Sequence, residues 1–138
     1  RTGAFVNVER AMTANSRFGG HFVQGHVDAV SAVRKIERKG DFWEFVFEVP
    51  KEARDYLIPK GSIAIDGVSL TIAEVKDCVF SVAVIPTTFE NTIFKFYKAG
   101  VAVNVETDIL CRIVRKQLEN LVGGAANLTI EKLKDFGF

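Results

Sequence analysis

Two histidines stand five residues apart in GGHFVQGHVD (19–28), and a metal site is the first chemistry such a pair invites. The spacing argues against it. On a strand, an offset of five puts His21 and His26 on opposite faces; on a helix it separates them by about 140°. The chain carries no HExxH, no CxxC and no carboxylate at ligand spacing, so no metal is expected. Gly19-Gly20 lacks the Lys-Ser/Thr that completes a phosphate loop. The plainer reading is the start of a strand, with glycines allowing close backbone approach and both histidines satisfied by hydrogen bonds.

Two further stretches carry placed polar groups. In DGVSLTIAEV (66–75), Val68, Leu70 and Ile72 share one face and Ser69, Thr71 and Ala73 the other. This is either a half-exposed strand with small polar residues facing water, or a strand whose two hydroxyls face a ligand cleft and hydrogen-bond a polar heterocycle. In VIPTTFENTIF (84–94), Thr87, Thr88, Asn91 and Thr92 cluster beside Ile85 and Phe89. That is a capped short helix or the rim of a pocket with an apolar floor. No G-x-S-x-G elbow and no recognisable Ser/His/Asp set is present.

The elements that must hold these residues read as short strands at hairpin spacing. Phe5–Val8 reads as a strand stub and Phe22–Val33 as a strand with Gly25 as a possible bulge. RKGD (38–41) is a turn, after which Trp43, Phe45, Phe47 and Val49 alternate on one face. Pro50 opens a short helix through Tyr56. Strands then follow over 61–65, 68–75, 78–85 and 101–106, the first two joined by an Asp66-Gly67 turn. From Ile109 to Val122, apolar residues recur at helical spacing, and Gly123-Gly124 reads as the helix stop. A second short helix is expected over Ile130–Phe136, with Thr129 as N-cap and Leu128 and Leu133 as the staple. The narrow stripe of the long helix serves either its own barrel or association between subunits.

At 138 residues, with 48% hydrophobic and 25% charged side chains, this is one ordinary globular domain. A net charge of +1 without a basic cluster disfavours nucleic acid as a partner. The apolar runs are too short for a bilayer span, and the first residues are not a signal peptide. Cys78 and Cys111 belong to no CxxC pair and read as thiols of a reducing compartment, the cytoplasm.

GGHFVQGHVD, GSIAIDGVSLTIAEV, FSVAVIPTTFENTIF and GVAVNVETDIL together resemble the riboflavin synthase family, specifically its C-terminal lumazine-binding barrel. The resemblance runs from about Gly3 to the end. It implies an all-β fold, a six-stranded Greek-key barrel with C-terminal α-helices. It also implies a cofactor-free dismutation, in which two molecules of 6,7-dimethyl-8-ribityllumazine yield riboflavin and 5-amino-6-ribitylaminouracil by transfer of a four-carbon unit. By position, the resemblance makes Ser69, Thr71, Ile85, Thr88 and Phe89 substrate-binding residues and His26 and Asp108 the catalytic candidates. His21 and Asp66 keep structural roles. The implied partners are the lumazine, riboflavin, and the N-terminal barrel of another subunit in a homotrimer, with no nucleic acid and no membrane.

The resemblance also accounts for an internal echo: Val6-Asn7-Val8-Glu9 repeats as Val103-Asn104-Val105-Glu106. Residues 1–9 are then the terminal strand of a preceding barrel absent from this sequence, 10–108 the lumazine-binding barrel and 109–138 the C-terminal helices. The chain would supply half of each active site. A non-catalytic lumazine- or flavin-binding protein of the same fold is the alternative, and a scaffold assembled through the long helix is a third reading.

Overall fold

The computed structural model describes residues 2–13 and 15–125. Six strands close into an antiparallel barrel: β1 (Ala29–Lys39), β2 (Phe42–Glu48), β3 (Ser62–Ile65), β4 (Val68–Lys76), β5 (Val79–Val84) and β6 (Ala102–Thr107). Their order around the barrel is β1-β2-β5-β4-β3-β6, the Greek-key arrangement that the family resemblance implies. Helix α1 (Pro86–Asn91) and a 3-10 turn (Ile93–Phe96) carry the chain from β5 to β6, and α2 (Ile109–Ala125) follows. The chain forms two compact units, one ending at Asp108 and one beginning at Ile109.

Two bulged strands turn the corners of the barrel. The first half of β1 pairs with β6 (Ala29↔Val105 to Ala32↔Ala102), and the second half with β2. The register slips between Val33 and Lys35. β4 does the same, pairing first with β3 and then with β5, with a slip between Ile72 and Glu74. An extra residue bends a strand and resets its alternation. Accordingly the inward set steps by three, from Val33 to Ile36 and from Ile72 to Val75. Asp66 and Gly67 both have positive φ (44° and 80°), as a two-residue hairpin turn between β3 and β4 requires.

The core is apolar and largely aromatic. Phe45, Phe47, Phe80 and Phe94 are fully buried together with Val33, Ile63, Ile65 and Ile72. Phe94 meets Phe45 edge-on at 5.0 Å, and Phe47 stacks on Phe80 at 5.3 Å. Burying each such side chain contributes about 1.5–3 kcal/mol.

Four expectations need correction. Phe5–Val8 is not a strand: Phe5, Val6 and Val8 are 73%, 70% and 86% exposed, and among the described residues no strand pairs with them. The strand expected from Phe22 begins only at Ala29, because side-chain acceptors rather than a ladder take the earlier amides. Pro50 opens turns that tighten into a 3-10 helix at Arg54–Tyr56. Helix α2 runs through Gly123-Gly124 to Ala125; two glycines weaken a helix without forbidding it. The second helix expected over 130–136 lies outside the described residues, as do Leu128, Thr129 and Leu133.

Candidate functional site

The Asp66-Gly67 turn launches β4 with Ser69 and Thr71 on its outward face, Ser69 half-buried and Thr71 exposed. Beside Ser69 lies the Gly19-Gly20-His21 stretch. His21 Nδ1 is 2.8 Å from Ser69 Oγ, while its Nε2 is buried without a partner among the described residues. Gly20 has φ +109°, and a Cβ there would fall 2.5 Å from Ser69 Oγ. A glycine is therefore required at this point, both for its backbone angle and for space.

Two carboxylates hold the chain between this stretch and β1. Glu106, only 7% exposed, accepts from the amides of Gln24 at 2.6 Å and Gly25 at 2.9 Å. Asp28 accepts from the amide and hydroxyl of Thr107 at 2.8 and 2.6 Å. Hydrogen bonds to a charged acceptor are about twice as strong as neutral ones, so they substitute for a β-ladder that has not yet begun.

A third carboxylate organises the other side. Asp66 accepts from the Asn104 amide at 2.8 Å and from the Tyr97 hydroxyl. Burial, and then the hydrogen bond and charge of Asp66, hold the Tyr97 hydroxyl far above the usual tyrosine range. Asn7 donates from Nδ2 to the Asp66 carbonyl at 2.8 Å and accepts the Ile93 amide at 2.9 Å. Phe5 stacks on Phe96 at 5.0 Å. These contacts tie the first residues to the barrel.

Between residues 5–12, residues 17–25, the start of β4 and the 91–96 connection lies an open groove of about 860 Å³. Met12, Phe18 and Phe96 give it apolar surface, and Arg10, Arg17 and Lys95 bring positive charge. Its size falls within the range of small-molecule sites. Aromatic walls, a hydroxyl with a fixed neighbour and cationic side chains suit a planar, polar heterocycle with a hydrophilic tail.

Of the substrate-binding and catalytic residues that the resemblance implies, Ser69 lines this groove; His21, Asn91 and Thr92, noted in the sequence for other reasons, line it too. Thr71 lies two residues further along the same strand face, opposite Ser62. Ile85 is 57% exposed before α1. The Thr88 carbonyl accepts the Thr92 hydroxyl at 2.7 Å. Phe89 stacks flat on Trp43, with ring centroids 4.0 Å apart. His26 is exposed, beside the amide clamped by Glu106. Asp108, which follows β6 in the chain, is half-buried. Sequence reasoning missed Asn7, Arg17 and Phe96 as parts of the groove. Of these, Asn7 carries a signal, the repeated V-N-V-E, whose alternation points to a strand rather than to a groove.

Residues 24–108 match the lumazine binding domain family. The chain is 41% identical to a riboflavin synthase of Bacillus amyloliquefaciens over 93% of its own length and 60% of that protein's. It is 38% identical to riboflavin synthase of Bacillus subtilis over 99% and 64% respectively. The chain thus spans about six-tenths of these relatives. Among solved structures, LumP complexed with riboflavin superposes with a TM-score of 0.62 at 26% identity, covering 67% of this chain and 50% of that one. LumP complexed with 6,7-dimethyl-8-(1'-D-ribityl) lumazine gives 0.61 at 25% identity, covering 67% and 52%. The match over the barrel, on a closed six-stranded sheet with Ser69 at a groove of fitting size, means that the chain belongs to the lumazine binding domain family.

Proposed function

We propose that the chain is the C-terminal half of a riboflavin synthase and holds one molecule of 6,7-dimethyl-8-ribityllumazine. The observation that carries this reading is the 41% identity to a riboflavin synthase across 93% of the chain. In the reaction, two lumazines meet face to face. One gives up a four-carbon unit and leaves as 5-amino-6-ribitylaminouracil; the other gains it and becomes riboflavin. Atoms and electrons balance between the two molecules, so no external oxidant is needed. Holding two bound rings in a reactive pose contributes on the order of 7–11 kcal/mol.

Ser69 and Thr71 offer hydroxyls to the ring; Ile85, Thr88 and Phe89 supply its cover. His26 assists proton movement at the acidic C7 methyl, a contribution of roughly 10²–10⁴-fold, and Asp108 is the second acid–base group. The second ring is held by the N-terminal barrel of another subunit in a homotrimer of the full-length protein, in the cytoplasm. Titrating the chain with the lumazine while following its fluorescence tests the binding. Saturation at one ligand per chain is expected, and absence of saturation at high protein concentration overturns the reading.

The LumP complexes support ligand binding by this fold, which is equally compatible with a second reading, a lumazine- or flavin-binding protein without catalysis. His26→Ala in the two-barrel protein separates the two. An enzyme loses turnover by roughly 100-fold or more with ligand affinity nearly unchanged; a binder has no turnover to lose.

A further inference from the structure

A serine hydroxyl has one proton and two lone pairs. With His21 Nδ1 at 2.8 Å from Ser69 Oγ, one of these three is committed to the imidazole. The other ring nitrogen decides which. Nε2 is buried and has no partner among the described residues, and a buried N–H without an acceptor is a rarer orphan than a bare acceptor. The tautomer protonated on Nδ1 leaves only a lone pair at Nε2. In that tautomer His21 donates to Ser69, and the Ser69 proton remains available. Both side chains line the groove, and Gly20 brings backbone so close that a Cβ would sit 2.5 Å from the hydroxyl oxygen.

We infer that His21 is a positioning residue that holds the Ser69 hydroxyl as a hydrogen-bond donor toward a ring carbonyl or ring nitrogen of the bound heterocycle. This rests on the groove being the lumazine site. It gives a definite role to a histidine that the sequence left as the start of a strand. It also names the ligand chemistry that Ser69 selects: an acceptor edge of the ring rather than an N–H.

The test is a double-mutant cycle read by titration with 6,7-dimethyl-8-ribityllumazine, on variants whose circular dichroism matches the parent chain. His21→Ala and Ser69→Ala each weaken binding about tenfold, and the double variant binds no more weakly than Ser69→Ala alone. His21→Asn, whose amide reaches the place of Nδ1, restores most of the affinity; His21→Gln, which reaches the place of Nε2, does not. Should His21→Ala fail to fold, the Asn/Gln contrast decides. Nitrogen-15 spectra of the imidazole show the Nδ1–H tautomer in the ligand-free chain. Parent-like binding by His21→Ala, a His21 effect undiminished when Ser69 is already alanine, equal binding by the Asn and Gln variants, or an Nε2–H tautomer overturns the inference. Failure of the parent chain itself to bind overturns the reading of the groove, and is seen before any variant is made.

Discussion

At the scale of single residues, Asp66 does more than turn the chain. Its carboxylate takes the Asn104 amide and the Tyr97 hydroxyl, and its carbonyl takes the Asn7 side chain. The tyrosine gives this cluster a pH signature. Its folded-state value is raised by burial first and by Asp66 second, so the protonated form is the one the fold favours. That stability is complete below about pH 10, where the tyrosine of the unfolded chain is also protonated, and is lost as pH rises beyond it. Urea midpoints should therefore fall between pH 9 and 11, and Tyr97→Phe should flatten the fall; an unchanged slope would show that Tyr97 is not its source. Asn7→Ala removes two hydrogen bonds, an expected loss of about 1–3 kcal/mol in the docking of the first residues, read as faster amide exchange at Ile93. Asp66 was legible as a turn residue from Asp-Gly between two apolar runs. Its partners were not, because Asn7 and Tyr97 lie 59 and 31 residues away and no local pattern marks them.

At the scale of elements, alternation revealed where strands run and helical spacing revealed α2. Alternation could not reveal where β1 starts. Phe22, Val23 and Val27 look like strand residues, yet Phe22 and Val27 are 51% and 53% exposed, and the amides of Gln24 and Gly25 are satisfied by Glu106. The decisive contact spans some eighty residues, beyond the reach of any sequence window. Glu106→Gln keeps one carbonyl oxygen for two amides and removes the charge. It should cost about 1–3 kcal/mol and speed hydrogen exchange at Gln24 and Gly25 while amides of β2 and β5 stay protected. Uniform loss of protection would instead mark Glu106 as a support of the whole barrel. The bulges were likewise hidden, since a step of three within an alternating run reads as noise until the partner strands are known.

At the scale of the whole molecule, short strands at hairpin spacing made an all-β fold legible, and the closed six-stranded barrel was what the family resemblance implied. The groove was less legible. Of the substrate-binding and catalytic residues that the resemblance implies, Ser69 reaches the groove, with His21 beside it; a groove is built by distant segments meeting, and its cations come from stretches without a motif. Helix α2 raises the remaining question. Leu110, Ile113, Val114, Leu118 and Leu121 recur at helical spacing and are each at least 50% exposed. Five large apolar side chains on one helical stripe form the kind of surface that monomers rarely leave in water. Assembly into a homotrimer through this stripe is the proposal the family resemblance supports, and it is separable from ligand binding. Sedimentation of the chain should give a mass above the monomer. Ile113→Lys with Leu118→Lys places two charges in the stripe, and burying them unpaired is prohibitive. The double variant should sediment as a monomer with the strand signal of the barrel intact. A parent chain that is already monomeric, or a double variant of unchanged mass, would remove α2 from the assembly.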